Sequence, residues 1–243
     1  MPEGPSIVIL KEEVKRFTGK KIVAVSGNSK IDQSRMLNQK VISFQSWGKH
    51  FLICFKGFTV RIHLLMFGKY LIDERKETPV RLSLVFANGE LNFYTCAVKI
   101  LEGDVNEHYD FSADVMNPRW DPKKAKAKLK DMPERLACDA LLTQEIFSGV
   151  GNIIKNEVLY RIRVHPESKI KAIPNYKLNN LIKEAHVYSF EFLEWKKKFE
   201  LKKHWLAHTK KICLRCNLPI ILKYTGIWKR RSFFCEKCQL LYT

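Results

Sequence analysis

Apolar residues recur at helical spacing near the start of the chain. Ile7, Leu10, Val14 and Phe17 share one face of a helix predicted over 5–17, which Gly19 stops. From residue 21 the period shortens to that of strands. The stretches 21–27, 50–55, 58–64, 70–73, 81–86 and 91–95 are rich in β-branched and aromatic residues, and Asn88-Gly89 between the last two is a hairpin signal. Helical spacing returns from Pro133, through Leu136, Ala137, Ala140 and Leu141. It breaks at 147–152 and resumes through Ile153, Ile154, Val158, Leu159 and Tyr160. A long amphipathic helix is predicted over 175–201, with Leu178, Leu181, Ala185, Tyr188, Phe192, Trp195 and Phe199 on one face. Residues 104–125 read as an interdomain linker and 123–130 as a solvated basic helix face. Strand-like segments at 219–224 and 232–234 close the chain. The order predicts an α+β protein of two domains: a helix leading into a β-sandwich, then a helical domain.

Charge narrows the partner. Among 243 residues, 43 Lys and Arg against 25 Asp and Glu leave +18, which points to a polyanion, nucleic acid first and an acidic membrane surface second. No stretch resembles a signal peptide or a membrane span, and runs such as Ile7-Val8-Ile9-Leu10 are too short, so a soluble intracellular protein is expected. Of seven cysteines, Cys54, Cys96 and Cys138 are scattered and read as reduced and buried. Cys213-x2-Cys216 and Cys235-x2-Cys238, eighteen residues apart, have the spacing of a four-thiolate zinc site. Disulfides or redox pairs are the alternatives, and neither suits a reducing compartment. The flanking strands suggest a zinc ribbon holding one structural Zn2+, with Lys229, Arg230 and Arg231 near its hairpin.

Four further places could carry chemistry. Removal of Met1 would leave Pro2 with a free secondary amine, of a class that titrates at roughly 7.7–8.0 and can form a covalent iminium. Glu3 beside it is placed for proton transfer, and the following helix puts the amine at a positive dipole end. Pro2 and Pro5 equally suit a stiffened helix start. Trp47-Gly48-Lys49-His50 offers a close-approach glycine and a cation, or simply a turn with a solvated lysine. His63-Leu64-Leu65-Met66-Phe67-Gly68 reads as core or as an apolar tip able to wedge into a base stack. Gly149-Val150-Gly151-Asn152 opens a helix, where backbone N–H groups suit a phosphate and Asn152 can cap the helix or donate.

Taken together and in this order, Pro2-Glu3-Gly4-Pro5, Gly48-Lys49-His50, Gly149-Val150-Gly151-Asn152 and the four-cysteine hairpin resemble the formamidopyrimidine-DNA glycosylase/endonuclease VIII family. The resemblance implies an N-terminal catalytic β-sandwich domain (1–112), a helix–two-turn–helix domain (113–208) and a zinc finger (209–243), with DNA between the domains. It implies Pro2 as nucleophile and Glu3 as catalytic carboxylate. Lys49, Asn152 and Arg230 match phosphate-contacting residues of the family, with Arg231 as an alternative register for Arg230. Met66 matches a residue that fills the gap left by the extruded base. A monomeric, nucleoid-associated cytoplasmic enzyme acting on double-stranded DNA with an oxidised base or abasic site follows, with glycosylase and β,δ-elimination AP lyase steps. Ser6 stands where relatives often carry a second glutamate, leaving open a weak or inactive damaged-DNA-binding protein of the same fold. Thr95-Cys96-Ala97-Val98-Lys99-Ile100 replaces the opposite-strand loop of purine-directed members, and the stretch 200–212 is short and lysine-rich. Both tilt the resemblance toward the endonuclease VIII branch and oxidised pyrimidines. A zinc-ribbon RNA-binding protein would account for charge and cysteines but not for the N-terminal motif.

Overall fold

A computed structural model describes residues 2–243. The chain divides into two compact units, the first ending at Asp110 and the second spanning Phe111–Thr243. No helix among the described residues is long and apolar enough to cross a membrane.

In the first unit, α1 (Gly4–Glu13) runs into a 3-10 turn, Val14–Phe17. Pro5 sits in the first helical turn, where its missing N–H costs nothing. Ile7, Leu10, Val14 and Phe17 are fully buried, as their spacing predicts. Eight strands follow: β1 (Ile22–Ser26), β2 (Ser43–Trp47), β3 (His50–Phe55), β4 (Phe58–His63), β5 (Lys69–Ile72), β6 (Leu82–Phe86), β7 (Gly89–Tyr94) and β8 (Ala97–Glu102). They form two antiparallel sheets of order β1-β6-β7-β5 and β2-β3-β4-β8. Alternate residues such as Phe51, Ile53, Val60, Ile62, Leu84 and Phe93 enter a shared core with the apolar stripe of α1.

Two strands escape the sequence pattern, and both are edges of one sheet. Ser43, Gln45 and Ser46 dilute the apolar signal of β2, yet Phe44 pairs with Ile53 and completes the ladder. In β8, read above as the replacement for a loop, Val98 and Ile100 pair with Ile62 and Val60. The stretch read as a linker is structured: it contains α2 (Val105–His108) and a 3-10 turn at Phe111–Ala113, and Val115 lies in the second core.

The second unit contains α3 (Pro122–Lys130), α4 (Ala137–Leu142), α5 (Asn152–Arg161) and α6 (Asn175–Lys197), followed by a hairpin of β9 (Ile221–Thr225) and β10 (Arg230–Phe234). Asp121 caps α3 by accepting from the N–H groups of Lys123 and Lys124, and only Ala125 and Leu129 of that helix are buried, so its lysines face outward. α6 stops at Lys197, short of its predicted end. Phe199, placed above on the apolar face, instead adopts φ 59° and is 96% exposed. Leaving the helix rotates it off the buried stripe.

Candidate functional site

Pro2 lies just outside α1 and is half-buried, while Glu3 occupies the N-cap position in extended conformation and is 1% exposed. The Glu3 carbonyl accepts from Ser6 N at 2.8 Å, so the first helical turn fixes the backbone that carries the carboxylate. Ser6 itself is buried. Lys49 sits in the two-residue turn between β2 and β3, where Gly48 takes φ 52°, a conformation glycine adopts without strain. Pairing of His50 with His63 brings Lys49 and the 64–68 tip to the same end of the sheet. At that tip Leu65, Met66 and Phe67 are 45%, 55% and 76% exposed. A Cβ at Gly68 would lie 1.9 Å from the Leu64 carbonyl, so the turn that presents them requires glycine. Of the two readings of this segment, core or tip, the exposure selects the tip.

Beside Lys49, Trp47 and His50 of the same motif join a half-buried cluster whose members Arg61, Tyr109 and Asp110 the sequence reading did not single out. His50 Nδ1 is 3.1 Å from the Tyr109 hydroxyl, and Trp47 Nε1 donates to the Asp110 carbonyl at 3.0 Å. Arg61 and Lys99 stand opposite each other on β4 and β8, a like-charge pairing that costs stability unless an anion offsets it. Burial, then the positive charges of His63, Arg61 and Lys49, push His50 down to about 3. His63 is lowered by burial, then by Lys49 and Arg61. An unfolded histidine titrates near ~6.5, so below that pH the unfolded chain binds more protons. The stability gained by keeping His50 neutral is present above about 6.5 and is lost as pH falls toward its folded value. The urea midpoint should therefore drop between pH 7 and pH 5, and His50→Gln should flatten the drop. Equal pH slopes for the two proteins would contradict a buried neutral His50.

In the second unit, α4, the turn at 143–151 and α5 form a helix–turn–helix. Gln144 stitches the turn by donating to the carbonyls of Leu142 (2.8 Å) and Val150 (3.1 Å) and accepting from Gly149 N. Gly149 has φ 98°. Gly151, with no side chain to offer, holds the N-cap position, and Asn152 is the first helical residue rather than the cap. Asn152 Oδ1 is buried with no hydrogen-bond partner among the described residues. A glycine-opened helix start of this kind is the arrangement that suits an anion.

The next turn of α5 is polar yet buried: Lys155, Asn156 and Glu157 are all at most 1% exposed. Glu157 accepts from the N–H groups of Leu206, Ala207 and His208 at 2.7–3.0 Å, tying the segment before the hairpin to α5. Burial pushes its carboxyl up, and those three N–H groups oppose the rise. Arg230 and Arg231 are exposed at the start of β10, paired with Thr225 and Tyr224.

The side chains of Cys213, Cys216, Cys235 and Cys238 converge, their ligand atoms all within 4.8 Å of one another. Cys213 and Cys238 sulfurs are 3.8 Å apart, and those of Cys216 and Cys235 3.5 Å. Sulfurs about 2.3 Å from a tetrahedral ion would be about 3.8 Å apart, so the donor set fits one metal ion. Convergence of all four sulfurs on one point, rather than in two separate pairs, suits a shared ion. Tyr160, Ala207, Ile220 and Phe233 pack around the cluster, so a metal here would sit at the base of the hairpin.

A helix-led β-sandwich, a helix–turn–helix unit and a four-cysteine hairpin define a class of two-domain α+β proteins. Residues 1–97 match the formamidopyrimidine-DNA glycosylase N-terminal domain and residues 112–190 the formamidopyrimidine-DNA glycosylase H2TH domain. The chain belongs to the formamidopyrimidine-DNA glycosylase/endonuclease VIII family. It is similar to Endonuclease 8-like 3 of Mus musculus, at 28% identity over 84% of this chain and 36% of that protein. The DNA-(apurinic or apyrimidinic site) lyase Nei2 of Mycolicibacterium smegmatis is 28% identical over 66% of each chain. The chain thus spans little more than a third of the mammalian relatives it matches, 36–37% of the mouse and bovine proteins. Among solved structures, Lactococcus lactis formamidopyrimidine-DNA glycosylase bound to DNA containing an abasic site superposes with a TM-score of 0.85. Identity is 20%, over 98% of this chain and 99% of that one, a likeness of fold.

Proposed function

We propose that this chain is a bifunctional DNA glycosylase and AP lyase of base-excision repair, acting on oxidised bases, mainly pyrimidines, and on abasic sites in duplex DNA. The observation that carries the reading is the pairing of Pro2 with the buried Glu3 at the mouth of α1 in a chain of this family. The net charge of +18 and the opposed cations Arg61 and Lys99 support a polyanionic partner.

With Met1 removed, the Pro2 nitrogen attacks the sugar C1′ of an extruded nucleotide. The C1′–base bond breaks, and the base departs with the bonding electron pair and a proton. Glu3 relays to the base the proton that the Pro2 nitrogen gives up on attack, and passes a second one from solvent to the ring oxygen as the sugar opens. The resulting iminium acidifies the C2′ proton. Its loss expels the 3′ phosphate, a second elimination expels the 5′ phosphate, and water hydrolyses the remaining iminium to free Pro2. Lys49, Asn152 and Arg230, with Arg231 beside it, hold phosphates around the extruded nucleotide, and such contacts position without reading sequence. Met66, exposed on the 64–68 tip, fills the space the base leaves. Zinc suits the four cysteines: Cys213, Cys216, Cys235 and Cys238 would hold it, and four thiolates would leave it no open position for chemistry, so it would serve to hold the hairpin.

The pyrimidine preference and the endonuclease VIII branch rest on two features. β8 occupies the stretch where purine-directed members carry an opposite-strand loop, and the segment between α6 and the first cysteine of the zinc site, about 200–212, is short and lysine-rich. The test is excision from defined duplexes carrying oxidised pyrimidines, oxidised purines or an abasic site. Release of pyrimidine lesions with strand cleavage is expected. Purine lesions released preferentially would overturn the branch, and binding without any cleavage would favour the inactive damaged-DNA-binding reading that Ser6 raises.

A further inference from the structure

A helix buries one stripe by its period, so three adjacent polar residues are buried only where their polar atoms find partners. In α5 two of the three spend those partners on the hairpin. Lys155 Nζ donates to the Arg231 carbonyl at 3.1 Å and to Ser232 Oγ at 2.9 Å, and Ser232 Oγ lies 2.6 Å from Thr225 Oγ1 on the other arm. Asn156 Oδ1 accepts from Phe233 N at 3.2 Å, and its Nδ2 donates to the Arg231 carbonyl at 3.4 Å. β10 is gripped at three successive residues, directly beside the exposed side chains of Arg230 and Arg231. Asn152, Lys155 and Asn156 stand at i, i+3 and i+4, so one face of α5 carries both the glycine turn and this clamp, about 5.4 Å apart along the axis.

We propose that Lys155 and Asn156 are positioning residues that set the spacing between the anion-binding turn at Asn152 and the hairpin arginines, so that both engage phosphates of one duplex together. The functional consequence rests on the reading of the chain as a DNA glycosylase; the clamp itself does not. Lysine suits the place because a compact ammonium with three donors can satisfy a carbonyl and a hydroxyl at once. Methionine fills similar volume but leaves the Arg231 carbonyl to the longer Asn156 contact and Ser232 Oγ to Thr225, which frees the start of β10 to move. Each phosphate contact then lost lowers the log–log salt slope by about 0.9, and a displaced sugar loses rate steeply.

The experiment compares Lys155→Met, Ser232→Ala and the double variant with wild type. Lys123→Met, on the outer face of α3, serves as a surface-charge control. In Lys155→Met, affinity for an undamaged duplex should fall about tenfold, the salt slope should become shallower by about one, and single-turnover excision at saturating enzyme should fall about 100-fold. Exchange of the Phe233 amide should quicken. Ser232→Ala removes one hydroxyl without touching charge and keeps the question answerable if Lys155→Met folds poorly. It should give a smaller loss in the same quantities, and the double variant should be no worse than Lys155→Met alone. A wild-type salt slope with unchanged Phe233 exchange would overturn the proposal, as would losses identical to Lys123→Met. If wild type itself excised nothing, the glycosylase reading would fall, and the slope and amide exchange would still decide the clamp.

Discussion

Borohydride should trap a covalent complex between the chain lacking Met1 and an abasic duplex, and Pro2→Gly should lose most of it. The secondary amine of proline forms an iminium that carries its charge without losing a proton. The primary amine of glycine forms a neutral imine first, from a less constrained backbone. Glu3→Gln should keep the fold, because the backbone carbonyl of residue 3 still accepts from Ser6 N, yet excision should fall by about 100-fold or more with the loss of proton transfer. Intact mass measured on the same sample establishes that Met1 is gone. Undiminished trapping by the Pro2 variant would move the nucleophile to a lysine.

Metal removal should have the second large effect. Apparent binding energies of about 10–16 kcal/mol for structural zinc exceed what the hairpin can supply, because its own core is only Tyr160, Ala207, Cys213, Ile220, Phe233 and Cys235. Chelation, or Cys235→Ser, should therefore unfold β9 and β10 and expose the Lys210-Lys211 bond to trypsin. Duplex binding should weaken as Arg230 and Arg231 lose their support, while the first unit, with a separate core, keeps its melting transition. Metal analysis should return one zinc per chain. A chain without zinc, or a hairpin that stays protected after chelation, would remove the metal from the reading.

What the chain spells out locally was legible. The four-residue cysteine pairs fix their own geometry, since two thiols three positions apart can face one ion wherever the knuckle folds, and all four converge as the spacing predicts. The apolar stripe of α1 and six of the eight strands of the sandwich follow from periodicity. β2 and β8 did not, because an edge strand is defined by the neighbour it pairs with. Ser43 and Gln45 become strand residues only because Cys54 and Leu52 stand opposite them. Phe199 was misplaced because periodicity says which face a residue would occupy while the helix lasts, not where the helix ends.

The polar half of the site depended on tertiary structure for the same reason. Lys155, Asn156 and Glu157 carry the composition of a solvated face, and nothing within several residues of them predicts burial. Their partners are Arg231, Ser232 and Phe233 on one side and Leu206, Ala207 and His208 on the other. A buried lysine or glutamate is tolerable only when distant backbone groups arrive to bond it. Sequence alone determined the motifs and the elements that carry them: the prolyl start, the glycine turns, the thiol pairs. Tertiary structure decided which polar residues those elements bury together, because the free energy of a buried polar group is set by partners that only the folded chain brings within 3 Å or so.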